Sequence, residues 1–239
     1  MAGSVGNITT GIIKSGLVFN MDAANRGSTI PSTSTLKTFN TVDTSISGSI
    51  VTDATWANGT PPTFNFDGSD GYINLNSLIS SISTQQKGSI SIWFKHTNTA
   101  RKCFMSLGST TVNQSYFYTE IQADNTFWVQ SKGNWYFNPT PTYNVDTWHH
   151  FSIIQDGVSP KLYVNGVLQT ISIVGTDTTA WFNDTTIENI NVGRFYAKDG
   201  SVQTTLYFDG DLGPIHIYNR ALSPTEILHN YNALKGRFE

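Results

Sequence analysis

The sequence predicts an all-β protein: two antiparallel sheets packed face to face as a jelly-roll sandwich, with one short C-terminal helix. Three observations predict it. Short runs of alternating residues recur along the chain, as where Ile90, Ile92 and Phe94 oppose Ser91, Trp93 and Lys95, which is the period of a half-buried strand. Turn-forming pairs separate such runs; the clearest, Asn165-Gly166, offers the two positive-φ positions of a type I′ hairpin. Outside the C-terminal segment, no window of helical length carries a convincing apolar stripe.

Taken in order, residues 1–15 read as a flexible arm, rich in glycine and small residues, whose Ile8, Ile12 and Ile13 are candidate attachment anchors. Residues 16–239 read as the folded body. The Thr- and Ser-rich stretch 26–63 is expected to be a meander with little regular structure. Core strands follow around Ile90–Phe94 and Phe151–Ile153. The hairpin at Asn165-Gly166 sets Val164 opposite Val167 and Tyr163 opposite Leu168. In the last strand Ile215 and Ile217 face one way, His216 and Tyr218 the other.

The helix is fully signalled. Ser223-Pro-Thr-Glu226 supplies an N-cap, a proline at the first helical position and the glutamate of a capping box. Leu222 and Ile227 stand where a hydrophobic staple places them, Ile227, Leu228, Tyr231 and Leu234 form the apolar stripe, and Gly236 follows as the stop. The predicted span is Pro224–Lys235.

Composition narrows the function. The 239 residues carry a net charge of −3 with no cluster of Lys or Arg, so no electrostatic footprint for nucleic acid exists. No apolar run approaches the length of a membrane span, and the first ten residues have neither the basic nor the apolar region of a signal peptide. Cys103 is the single cysteine; it reads as a buried inert thiol in a strand.

Several motifs resemble one family. Gly16-Leu-Val-Phe-Asn-Met-Asp-Ala-Ala-Asn25, which resembles the opening strand, Phe66-Asp-Gly-Ser-Asp-Gly-Tyr-Ile73, Ser89-Ile-Ser-Ile-Trp-Phe-Lys95, Thr147-Trp-His-His-Phe151, Lys161-Leu-Tyr-Val-Asn-Gly166 and Tyr218-Asn-Arg-Ala-Leu-Ser-Pro-Thr-Glu-Ile227 occur in the order found in laminin-G-like domains of the concanavalin A-like lectin/glucanase superfamily. The ending Asn-Tyr-Asn-Ala-Leu-Lys-Gly-Arg-Phe238 is similar to copies in virion structural proteins of tailed phages. That resemblance implies a non-enzymatic virion component, a capsid decoration, fibre or tail-associated module, whose partners are other virion proteins and copies of itself. The alternative it implies is a lectin-like module that binds glycans.

The superfamily includes glycan hydrolases, whose laminarinase-like branch sets Glu-x-Asp-x-x-Glu on one strand. This chain has four glutamates, Glu120, Glu188, Glu226 and Glu239, and none fits. Glu120 with Asp124 comes nearest, yet an i, i+4 pair on a strand lies about 13 Å apart. An enzyme is not expected. Relatives often hold calcium at the sandwich rim, which makes Asp67, Asp70, Asp209 and Asp211 candidate ligands. The competing reading is that these Asp-Gly neighbourhoods are turns, and folding is expected to need no cofactor. For a glycan, the candidates are Trp135, Tyr136, Tyr143 and Asn134, where aromatic rings crowd amide side chains. The alternative there is that Trp128 and Phe137 are core while Trp135-Tyr136 turn a corner.

Overall fold

A computed structural model describes residues 11–25, 27–28, 37–52, 54–57, 59–97, 100–137, 142–200 and 202–239. The chain begins with strands β1 (Leu17–Met21), β2 (Lys37–Phe39), β3 (Ser47–Val51), β4 (Thr55–Ala57), β5 (Thr63–Asp67) and β6 (Tyr72–Asn74). After a single helical turn, α1 (Ile79–Ile82), come β7 (Gly88–His96), β8 (Lys102–Gly108), β9 (Tyr116–Ile121), β10 (Phe127–Ser131) and β11 (Trp135–Phe137). Then follow β12 (His149–Gln155), β13 (Pro160–Val164), β14 (Val167–Leu168) and β15 (Ile173–Gly175). The last elements are β16 (Asn189–Val192), β17 (Arg194–Asp199), β18 (Val202–Tyr207), β19 (Asp209–Tyr218) and α2 (Pro224–Lys235).

These strands make an antiparallel sandwich. One sheet has eight strands in the order β14-β13-β12-β7-β19-β5-β4, with β1 also on β19. The other has nine, in the order β15-β11-β10-β9-β8-β16-β6-β3-β2. A separate two-stranded hairpin, β17–β18, completes the β-structure. The expected hairpin register holds, with Val164 opposite Val167 and Tyr163 opposite Leu168.

Strand alternation builds the core. Ile90, Ile92 and Phe94 of β7 and Phe151 and Ile153 of β12 turn inward from the first sheet, and Phe104, Leu107, Phe117 and Phe127 meet them from the second. Ring contacts cross the gap, with Phe94 at 4.5 Å from Phe104 and 5.6 Å from Phe127. Phe66 also meets Phe208 edge-on here, at 6.0 Å. Burial of each such side chain contributes about 1.5–3 kcal/mol, which makes this apolar layer the main source of stability. Cys103 is buried and unpaired, as its position in a strand predicts.

Three expectations need correction. The stretch 26–63 holds β2, β3 and β4, which extend the two sheets at their edges. Short edge strands need no regular apolar alternation, so their sequence gave no strand signal. The helix spans the expected residues, but Leu228 is 44% exposed, and buried Asn230 joins Ile227 and Leu234 on the packed face. Gly236 keeps a right-handed φ of −63° and so is no left-handed stop.

The third correction concerns the arm. Ile8 lies outside the described residues, but Ile12 is buried with Trp93, Leu234 and Phe238, and Ile13 packs beside Ile227 and Leu222. The Ile13 amide donates to Asn230 Oδ1 at 2.8 Å. These two isoleucines are spent within the chain because α2 lies across the outer face of the eight-stranded sheet and leaves an apolar seam beside it. Trp93 fixes that helix from the sheet side, stacked on Phe238 at 4.5 Å and on Tyr231 at 5.6 Å.

Candidate functional site

The outer face of the nine-stranded sheet carries the features that suit ligand binding. In β10, Phe127 and Val129 point to the core, so Trp128 and Gln130 point out. In β11 the partition is Trp135 and Phe137 inward, Tyr136 outward. The register sets Gln130 opposite Tyr136, and Tyr136 opposite Val174 of the edge strand β15. Diagonal neighbours therefore meet: Tyr136 lies flat on Trp128, ring centroids 4.8 Å apart and planes 11° from parallel.

Beside this pair is a recess of about 260 Å³, lined by residues that include Gln130, Lys132, Asn134, Tyr136, Val174 and Thr176. The turn that shapes it needs Gly133, at φ +85°. Asn134 closes the turn, its amide donating to Ser131 O and its Nδ2 to Ser131 Oγ, at 3.0 and 3.1 Å. Val174 stands 49% exposed at the rim. The recess is thus an apolar floor with amide groups and one ammonium at its margin, and no carboxylate lines it.

The hairpin β17–β18 lies against this face. Phe195 and Ala197 cover Cys103, Tyr116 and Tyr118, with Trp128 packed at the border of the same cluster. Lys132 ties the hairpin down, 3.8 Å from Asp199 and 5.8 Å above the Tyr116 ring. Beneath the border sits Glu120, fully buried, which accepts from Arg101 Nη2 at 2.8 Å and from Gln122 Nε2. Burial pushes its carboxyl above the ordinary range, against the opposing pull of Arg101.

The four residues expected to bind a glycan are therefore not one site. Asn134 and Tyr136 face the recess, but Trp135 is 1% exposed with its side chain in the core cluster. Its indole Nε1 donates to Ala180 O at 2.9 Å, so no ring face is left for a sugar. Tyr143 packs elsewhere, on Phe127 at 4.5 Å and His149 at 5.4 Å, with its hydroxyl donating to Gln169 Oε1. Trp128 is the aromatic that sequence reasoning left in the core. The parity of Phe127 and Val129 around it was the available signal.

The candidate calcium ligands are likewise engaged. Asp209 accepts from Thr97 Oγ1 at 2.6 Å and pairs with Lys102 at 3.4 Å. Asp211 pairs with Lys95 at 3.1 Å and accepts from Thr63 and Asn65. Asp67 caps its own turn, accepting from the Ser69 amide, which holds its carboxyl below the ordinary range. Asp70 is exposed in that turn. Among the described residues no group of three metal-ligating side chains is arranged to hold an ion.

Fold and sequence assign the family. Residues 67–228 match the model of the concanavalin A-like lectin/glucanases superfamily, and the chain belongs to it. No curated protein matches the sequence. Among solved structures, the chain is similar to the CBM40 module of the Ruminococcus gnavus IT-sialidase bound to alpha2,3 sialyllactose, with 19% identity and a TM-score of 0.59 over 70% of this chain and 94% of that one. The same module bound to alpha2,6 sialyllactose gives 19% identity and a TM-score of 0.59, covering 71% and 96%. Trypanosoma rangeli sialidase in complex with sialic acid gives 11% identity and a TM-score of 0.70, over 95% of this chain but 34% of that protein. The likeness is one of fold.

Proposed function

We propose that this chain is a non-catalytic glycan-binding module whose platform is the outer face of the nine-stranded sheet at Trp128 and Tyr136. The observation that carries the reading is the stacked Trp128–Tyr136 pair beside a recess edged by Gln130, Lys132 and Asn134. A pyranose offers a flat face of C–H groups for an aromatic floor and hydroxyls for a few oriented amides, which is the chemistry these residues supply. Glycoside hydrolysis needs two carboxylates about 5–10 Å apart, and the recess has none along its lining. The CBM40 likeness supports a binding role on this fold.

A glycan array probed with and without calcium tests this. Binding is expected, with Tyr136→Ala and Trp128→Ala each losing at least tenfold while the thermal midpoint holds within a few degrees. An array negative at high protein concentration, or binding indifferent to both substitutions, overturns it.

The setting is a second proposal. The ending Asn230–Phe238, similar to copies in virion structural proteins of tailed phages, supports placing the module on a virion, among other virion proteins and copies of itself. Mass spectrometry of purified particles that found no copy of the chain would end that placement.

A further inference from the structure

The hairpin β17–β18 divides the outer face of the nine-stranded sheet, and its other flank carries a second constellation. Arg194 opens β17 there. Its guanidinium carbon lies 3.5 Å from the centroid of the Tyr72 ring and 4.4 Å from that of Tyr196. Nη2 donates to Asn191 Oδ1 at 2.9 Å. Asn191 is itself fully buried and held in turn, Nδ2 donating to Asn189 Oδ1 at 2.7 Å and Asn189 Nδ2 to Gly108 O at 2.9 Å. This amide relay, with the two rings, fixes where the guanidinium sits and how it faces.

What the relay does not give it is a counter-charge. Among the described residues no carboxylate lies within ion-pair distance of Arg194, and its buried Nε has no acceptor. Lys95, Arg101, Lys102, Lys132 and Arg237 each have an acidic partner, and Lys198 of the same hairpin bonds the Thr111 carbonyl. Nε is out of a ligand's reach, so the fork is the Nη edge. Among the described residues Nη1 has no protein acceptor and Nη2 bonds Asn191 alone. Beside tyrosine rings and asparagine amides, that edge makes a receptor for a planar carboxylate. A lone arginine in a chain of net charge −3 suits one carboxylate rather than a polyanion such as nucleic acid.

We infer that the Tyr72–Arg194–Tyr196 cluster is an anion subsite that takes the carboxylate of an acidic saccharide. The inference rests on the glycan-binding reading and specifies the ligand class. It sets the subsite four strand spacings from Trp128, about 19 Å across the sheet at about 4.8 Å per strand, so the two flanks serve an oligosaccharide or two separate glycan branches.

The test uses the full chain and two matched pairs of probes: sialyllactose against lactose, and a hexasaccharide of alternating glucuronate and N-acetylglucosamine against its carboxyl-reduced form. At least one acidic probe is expected to bind tenfold or more tightly than its neutral counterpart. Arg194→Gln and Arg194→Lys should both erase that difference, the lysine variant because it keeps charge without the fork. In the wild-type protein the Arg194 Nη–H resonances should shift with the acidic probe alone, a readout that needs no variant to fold. Equal binding of acidic and neutral probes, a preference that survives Arg194→Gln, or unmoved Nη–H resonances overturn the subsite. If neutral probes bind and Tyr136→Ala removes that binding, the glycan reading stands and only this inference falls. If none of the four binds, both fall for these ligands.

Discussion

Asn230 donates from Nδ2 to the Tyr218 hydroxyl at 3.0 Å, and both side chains then close on the backbone of Ile13. Asn230 Oδ1 accepts from the Ile13 amide at 2.8 Å, and Tyr218 Oη donates to the Ile13 carbonyl at 2.9 Å. Helix, final strand and N-terminal segment thus share one buried polar clasp. Asn230→Leu strands the Ile13 amide and relaxes the Tyr218 hydroxyl, at a cost of about 1–3 kcal/mol. The thermal midpoint should fall by roughly 2–4 °C for each kcal/mol lost. An unchanged midpoint would show that the clasp contributes nothing.

Ser223 accepts from the Glu226 amide at 3.3 Å while Glu226 Oε2 accepts from the Ser223 amide at 2.9 Å. Arg220, at 2.6 Å, and these cap bonds hold the Glu226 carboxyl down at about 2. Ser223→Ala should cost about 0.5–2 kcal/mol. Chemical denaturation should show a lower midpoint with the same slope.

Stability should fall with acid in a window set by two histidines under the helix. His150, tilted against Trp93 with centroids 5.1 Å apart, and His216 are fully or almost fully buried, and burial lowers them to about 3 and about 4. His216 also feels Asp22, which raises it, and Arg237, which lowers it. Unfolded histidine titrates near 6.5. Between 6.5 and the folded values the unfolded chain binds more protons, so stability is complete above that window and drains as pH drops through it. Urea midpoints measured from pH 7.5 to 4.5 should decline, and His150→Phe should flatten the decline.

Chelation should leave folding intact. The carboxylates of Asp209 and Asp211 already bond lysines, so removing calcium withdraws no charge that they need. A melting temperature shifted by more than a few degrees with EDTA, and restored by calcium alone, would return all four aspartates to the role of ligands.

How much of this was legible in sequence depends on parity. Where apolar and polar residues alternate, as from Ile90 to Lys95 or Ile215 to Tyr218, the inward set could be read directly. Trp135-Tyr136-Phe137 is aromatic throughout, so its parity is silent, and Trp135 was placed outside when it belongs to the core. The helix was legible to its end residues because Ser223, Pro224 and Glu226 are local signals. Ile12 and Ile13 were misread because their partners, Leu234 and Asn230, come from the far end of the chain. Their removal should now weaken the fold, since it uncovers Trp93 and the clasp. Arg194 was invisible for the same reason: Tyr72 becomes its neighbour only when β6 and β16 pair.

The positions of the N-terminal segment and α2 have a geometric consequence. Both run over the eight-stranded sheet, on the side of the sandwich away from Trp128, Tyr136 and Arg194. Anything tethered beside Gly11 or Phe238 is therefore joined at the back of the module. Such a mounting turns the aromatic and arginine flanks outward together, and rows of copies fixed to one support would all show the same face to whatever approaches.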